Sequence, residues 1–311
     1  MAAHQALVEA LLAMLAASAD AADLAINWAR LEAYFDTIFI TEPSIDALKR
    51  AILELAVYGK LVPQNSDEES AEFLLSDLAK EREKLLDSGY PNNSESRTQL
   101  KKQQEQALPI GLEALPKGWS WATLMQCSLF VIDCKNKTAP YAANGVRLVR
   151  TTNVRHGRLN DIDQRFVDQA TYEQWSLRAK PEPGDILITR EAPMGEACIV
   201  PESEVLCLGQ RMMLARTMRK YINPKYLLIT FMAPDLMERV QDKPIGMTVE
   251  HLRVGGVETL LVPVPPLPEQ DRIVAKVEEL MALCDAMIGR LGDAAATQRH
   301  LADSIVDQAA A

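Results

Sequence analysis

Basic and amide side chains follow short apolar runs in the middle of the chain. An arginine can donate paired hydrogen bonds to guanine or hold a phosphate, and an asparagine is suited to adenine. The candidates are Arg150, Thr151, Thr152, Asn153, Arg155, Arg158, Arg190, Gln210 and Arg211. For any single arginine, a solvated surface charge is the slightly favoured interpretation, followed by phosphate contact and then by base recognition.

Two motifs resemble parts of enzyme active sites, and both are incomplete. Asn223–Tyr226 departs from the Asn/Asp-Pro-Pro-aromatic motif of adenine methyltransferases at Lys225, and a helix start with an asparagine cap explains it better. Asp185 and Glu191 have the spacing of nuclease carboxylates, but the lysine of the usual Glu-x-Lys element is missing. We interpret Asp185 as a turn residue and expect the chain itself to have no catalytic or metal site.

Composition indicates a globular protein. The 311 residues are 48% hydrophobic, which is enough for a substantial core. Five cysteines without a CxxC pair and only four histidines argue against a disulfide framework and a zinc site, so we expect a reducing cytoplasm. The apolar N-terminus is interpreted as an amphipathic helix, and no segment is long enough to span a membrane.

The net charge of −10 is unevenly distributed. Residues 1–108 carry 10 basic and 18 acidic groups, residues 109–267 carry 19 and 17, and residues 268–311 carry 4 and 8. The middle segment is the one without an acidic excess. Charge therefore permits a polyanion partner there without requiring one.

The elements that must position these side chains change along the chain. We predict an N-terminal helical region at 1–90, a polar linker at 91–114, a β-rich domain at 115–266 and a long helix at 267–311. The expected fold class is α+β, with a β-rich domain joined to an elongated helical module.

The C-terminal helix carries a coiled-coil seam. Its members follow one another in alternating steps of four and three: Ile273, Val277, Leu280, Cys284, Met287 and Leu291. Since one helix cannot bury such a stripe alone, a second copy of the chain is the favoured partner. Packing against the chain's own N-terminal helices is the alternative.

A weak internal repeat relates the two helical parts. ALKRAILELAV (47–57) aligns with HLADSIVDQAA (300–310), which pairs Leu48 with Leu301 and Ile52 with Ile305. Shared helix periodicity explains these identities equally well.

Several stretches together resemble a specificity subunit of a type I restriction-modification enzyme, in a half-subunit or truncated form with one target recognition domain. They touch most of residues 41–291 and comprise SIDALKRAILELAVYGKLVPQ, LPKGWSWATL, VRLVRTTNV, GDILITREAPMGEACIVP, LGQRMMLAR and VPVPPLPEQDRIVAKVEELMALCDAM. The last is the most specific, because a Pro-Pro-Leu-x-Glu-Gln junction followed by a heptad helix is usual in that family.

The resemblance implies a non-catalytic DNA-binding subunit. It would read one half of a bipartite site on double-stranded DNA through residues 115–266 and the basic and amide candidates. It would dock methyltransferase subunits directly and a restriction subunit through them, and S-adenosylmethionine, ATP and Mg²⁺ would bind only to those partners. A decoy or purely structural subunit, which binds the methyltransferase without reading DNA, is the alternative.

Overall fold

The computed structural model describes residues 2–241 and 251–310. The chain divides into two compact units. Residues 1–64 and 272–311 form the helical unit, and residues 65–271 form the mixed unit. The α+β class predicted from the sequence is confirmed. Within the described ranges, no helix is both long enough and apolar enough to cross a membrane.

The helical unit contains four N-terminal helices and most of one long helix. They are α1 (Ala2–Ala16), α2 (Ala21–Glu32), α3 (Phe35–Ile38), α4 (Glu42–Val57) and α10 (Leu267–Ala310). Thr41 and Ser44 cap the start of α4 reciprocally. Gly59, with φ of 68°, ends the same helix in the left-handed conformation, as its position after the apolar periodicity predicts.

Most of the predicted seam is buried within this chain. Ile273, Val277, Leu280, Cys284 and Met287 are each at most 5% exposed. Lys49 of α4 and Asp285 of α10 form an ion pair at 2.6 Å, which joins the two helices inside the helical unit. Packing against the chain's own helices therefore accounts for these five residues, and the prediction that they face a second copy is corrected.

The exposed part of the seam lies further along α10. Leu291 is half-buried, whereas Leu301 and Ile305 are 59% and 66% exposed. Leu301 lies two heptads after Met287, and Ile305 lies two heptads after Leu291, so both continue the same stripe.

The mixed unit begins with two helices, α5 (Ala71–Asp87) and α6 (Asn93–Gln104). The prediction of a polar linker at 91–114 is wrong for α6, because its polar residues are used in packing. Asn92 caps the helix, and Gln99 is fully buried. The Gln99 amide donates to the Val131 carbonyl at 2.9 Å and accepts from the Val131 N–H at 3.1 Å.

The strands of the described ranges lie within the β-rich domain predicted at 115–266. They are β1 (Ser120–Thr123), β2 (Ser128–Asp133), β3 (Val146–Val149), β4 (Val154–Arg155), β5 (Arg158–Leu159), β6 (Arg165–Val167), β7 (Ile186–Arg190), β8 (Met194–Ile199), β9 (Leu206–Leu208), β10 (Met212–Thr217) and β11 (Leu261–Val264). The helices among them are α7 (Gln169–Trp175), α8 (Pro224–Met232) and α9 (Val254–Glu258).

Two sheets share the core of the mixed unit. The larger has the order β2-β10-β7-β8, and the smaller has the order β6-β3-β9. Successive residues of β10 alternate between cores: Met213 packs in the cluster with α5 and α8, and Met212 and Leu214 pack in the cluster with β3 and β9. Because both faces of the larger sheet are covered, the sheet is a rigid support for the loops at its ends.

The two apparent enzyme motifs are structural. Asn223 caps α8 by accepting from the Lys225 N–H at 2.9 Å, and Pro224 is the first residue of that helix. Asp185 is 2% exposed and accepts two hydrogen bonds from Arg216, at 2.8 and 2.7 Å. Both observations agree with the sequence interpretation.

Candidate nucleic-acid interface

The predicted basic and amide residues gather at one end of the two sheets. β2, β3, β7 and β9 all end at this edge, and β8 and β10 begin there, because β3 and β9 are parallel while β10 is antiparallel to β2 and β7. We call it the loop edge, and it comprises residues 133–138, 149–155, 190–194 and 209–211. Arg155 Nη2 lies 3.4 Å from the Ala192 carbonyl, and Arg190 N–H donates to the Arg211 carbonyl at 3.0 Å.

A glycine lets two of these loops approach. The Gly209 N–H donates to the Val149 carbonyl at 2.8 Å. A Cβ at position 209 would lie 2.7 Å from that oxygen, closer than packing allows, and 3.2 Å from Arg150 Cγ, which is a tight contact. The sequence therefore needs glycine here to hold the turn after β9 against the loop after β3.

The loop after β3 uses several predicted residues to brace itself. Asn153 is 1% exposed; its amide donates to the Ile162 carbonyl at 2.8 Å and accepts from the Arg150 N–H at 3.1 Å. The role of Asn153 in DNA contact stays a prediction, and the structure adds that its amide braces the loop through one donated and one accepted hydrogen bond. Thr151 is half-buried and Thr152 is exposed in the same 3₁₀ turn.

The arginines of this loop are tied to nearby acceptors. Arg150 pairs with the Asp163 carboxylate at 3.0 Å, and Arg155 donates to the Thr151 carbonyl at 2.6 Å. Arg158 is exposed and lies opposite Arg155 in the β4–β5 pair. The roles of these three arginines in DNA contact stay predictions. The structure shows in addition that Arg150 and Arg155 stabilise the loop itself.

Arg190 lies deeper in the edge. Its side chain is 13% exposed, with Nε 3.6 Å from the Asp133 carboxylate and Nη1 3.5 Å from the Leu252 carbonyl. Burial raises the pKa of Asp133, while the nearby Arg190 and Arg178 guanidinium groups lower it. The pKa of Asp133 stays above its usual value, so Arg190 only partly offsets the desolvation of this half-buried acid at the base of the loop edge.

Gln210 and Arg211 form the tip between β9 and β10. The Gln210 amide oxygen accepts from Thr138 Oγ1 at 3.2 Å. Arg211 is in the left-handed conformation, with φ of 67°, and its side chain is 50% exposed. Its guanidinium forms an ion pair with Glu191, whose side chain is only 15% exposed.

Sequence reasoning missed the acidic and hydroxyl partners of these residues. Asp133, Asp163 and Thr138 follow no motif, and Glu191 was considered only as a metal ligand. No group of three or more His, Cys, Asp or Glu within residues 2–241 and 251–310 is arranged to hold a metal ion. The contact between Glu191 and Arg211 cannot be predicted from a single sequence, since it depends on the pairing of β7 with β10.

Comparison with known proteins gives consistent matches. Residues 168–291 match the family profile of the type I restriction modification DNA specificity domain. The specificity subunit of the type I restriction enzyme EcoAI of Escherichia coli is 34% identical, over 99% of this chain and 52% of that protein. The EcoEI specificity subunit of Escherichia coli is 30% identical over the same shares of each chain, 99% and 52%.

The chain thus spans about half the length of these curated relatives. Among solved structures, the HsdS subunit from Thermoanaerobacter tengcongensis is 19% identical, with a TM-score of 0.44 over 76% of this chain and 55% of that one.

Proposed function

We propose, on the premise that this chain carries a type I restriction modification DNA specificity domain, that it is a DNA sequence-specificity subunit reading one half of a bipartite target. The observation that carries the proposal is the loop edge, where three turns that bear arginine or glutamine meet at the end of a fully covered sheet. Rigid support matters because base recognition requires donors held within a narrow range of positions.

The loop edge supports DNA contact through its mixture of charges. Lys137 on the loop edge is an exposed cation, and so is Arg158, which lies opposite Arg155 in the β4–β5 pair. Such cations are suited to phosphates, whose contacts fix the register of a protein on the duplex. Half-buried, braced groups such as Gln210 are suited to base edges. The decoy alternative offers no use for this arrangement.

The subunit would act through partners. Methylation of adenine and cleavage would be carried out by methyltransferase and restriction subunits, which would bind S-adenosylmethionine, ATP and Mg²⁺ in the cytoplasm. The acidic excess of residues 1–108 and 268–311 makes the helical surfaces candidates for docking the methyltransferase.

Self-association is proposed only for the exposed part of the seam. Leu301 and Ile305 would each gain roughly 1.5–3 kcal/mol on full burial, and their spacing repeats that of Leu48 and Ile52, which are fully buried in α4. A second copy that packs on residues 291–308 would place two DNA-reading units in one particle. Light scattering at micromolar concentration checks this part, and a strict monomer would exclude it.

DNA recognition is tested by selection from a pool of random duplexes with the full chain. The proposal expects one enriched motif, with affinity for it at least a thousandfold above that for unrelated duplex, as is typical of specific binders. A chain that binds the methyltransferase but enriches no motif would support the decoy instead.

A further inference from the structure

One arginine of the loop edge differs from the others in exposure. The side chains of Arg150 and Arg190 are 23% and 13% exposed, whereas that of Arg211 is 50% exposed. A group that reads a base must be reachable from solvent before DNA arrives. Arg211 meets this requirement, while Arg150 and Arg190 are mostly committed to the protein.

The backbone of Arg211 is held in an uncommon conformation. Its φ of 67° lies in the left-handed region, which glycine and asparagine occupy at lower cost than arginine. The Arg190 N–H fixes this conformation by donating to the Arg211 carbonyl at 3.0 Å, and the next residue, Met212, is fully buried. An arginine kept at a position that favours glycine indicates a use for its side chain.

The ion pair with Glu191 separates two roles for that side chain. A phosphate clamp needs net positive charge, and Glu191 cancels the charge of Arg211 at short range. Base recognition needs hydrogen-bond donors in a fixed plane instead. A guanidinium carries five N–H donors, so a pair through Nη1 leaves others for the O6 and N7 acceptors of a guanine.

We propose that Arg211 recognises a guanine in the major groove and that Glu191 is the positioning residue that orients its guanidinium. The inference rests on the proposed DNA-reading function and names a residue that sets the specificity. Glu191 is suited to this role because its side chain is 15% exposed and follows β7 directly, so the protein holds the carboxylate in place.

The test uses the motif selected by the wild-type chain and measures affinity for that motif, for each single-base variant of it, and for unrelated duplex, over a range of salt. R211K keeps the charge and loses the planar fork, and R211A/E191A keeps the net charge of the pair. Both should lose roughly ten- to a hundredfold of the discrimination at one G·C pair, with the salt dependence unchanged.

E191Q should move two quantities in opposite directions. Removing the negative charge should strengthen binding to every duplex, while discrimination at the same G·C pair falls. If Glu191 had only a structural role, E191Q would change thermal stability without strengthening binding to all duplexes while lowering discrimination. In the R211A background, loss of Glu191 should cause no further loss of discrimination, because it acts through Arg211.

K137A is the matched control, since Lys137 is an exposed cation next to Thr138, which contacts Gln210. It should weaken all duplexes alike and lower the salt slope by about 0.9. If R211A behaved like K137A, weakening all duplexes alike and lowering the salt slope with discrimination intact, Arg211 would be a phosphate contact and the inference would be wrong. Intact discrimination in R211K would also overturn it, whereas a wild-type chain that selects no motif would overturn the proposed function itself.

Discussion

Replacing Gln99 by alanine should open the contact between α6 and the larger sheet. β2 is an edge strand, and the Gln99 amide takes the place of a neighbouring strand by bonding both the N–H and the carbonyl of Val131. The same amide donates to Glu95 at 2.8 Å. The side chain therefore closes an edge that would otherwise leave buried backbone groups unpaired.

The magnitude follows from these three bonds. At a net 0.5–1.5 kcal/mol each they contribute about 1.5–4.5 kcal/mol, and unpaired Val131 groups would add to the loss if no water replaced the amide. We expect Q99A to lower the free energy of unfolding of the mixed unit by about 3 kcal/mol. Because Val131 N–H is bonded by Gln99, its hydrogen exchange should accelerate by roughly a hundredfold if the opening that exposes it is governed by this stability.

Amide exchange at Val131, followed alongside urea unfolding, is the assay. T98A is the matched control, since Thr98 is an exposed neighbour on the same helix and its hydroxyl donates to the Ser94 carbonyl of that helix, at 3.0 Å. It should change stability by less than about 0.5 kcal/mol. Equal exchange rates at Val131 in Q99A and the wild type would refute the edge-closing role of Gln99.

Three further predictions concern the helical unit, the thiols and α6. L280D should destabilise the helical unit by roughly 3–5 kcal/mol, because it buries an unpaired carboxylate. I305D should change the free energy of unfolding by less than about 0.5 kcal/mol and abolish only self-association. Calorimetry measures the stability and light scattering the association, and the reverse pattern of effects would contradict the buried seam. Burial raises the pKa of the Cys127, Cys198 and Cys207 thiols to about 12. Iodoacetamide at pH 8 should therefore modify these thiols only after unfolding. Rapid labelling of the same three thiols in the native chain, seen by mass spectrometry, would count against this core. Burial raises the pKa of Glu95, but hydrogen bonds from Arg178 and Gln99 outweigh it and leave that pKa below its usual value. The stability that this carboxylate contributes is present above about pH 4.5 and is lost as the pH falls through the lowered pKa. E95Q should therefore flatten the acid side of a plot of unfolding free energy against pH. An unchanged slope in E95Q would argue against this role of Glu95.

The sequence predicts elements best where periodicity and end signals agree. α10, with its heptads, follows the predicted long helix at 267–311 closely, and α4 lies within the predicted helical region at 1–90. α6 does not follow the prediction, because helix packing through Gln99 uses a polar residue and leaves no apolar stripe to detect. β2 gives no such signal of its own either, because SLFVID is buried almost throughout and lacks the alternation that identifies a half-exposed strand.

The candidate site was predictable in its location but less so in its roles. Arginines that follow apolar runs were expected at loop tips, and the strands do bring Arg155, Arg190 and Arg211 to one edge. Which of them is braced and which is exposed depends on long-range partners such as Asp163 and Glu191. Those partners are set by strand register, which a single sequence does not determine.

In the proposed function, this chain supplies sequence recognition to a DNA-modifying complex. The most direct measurement is the position of methylated adenines across a genome, after the chain is combined with its methyltransferase and, separately, after the chain is left out. We expect methylation at one defined split motif only when the chain is present, and a symmetric motif if two copies assemble. Methylation without a motif, or the same motif without the chain, would contradict it.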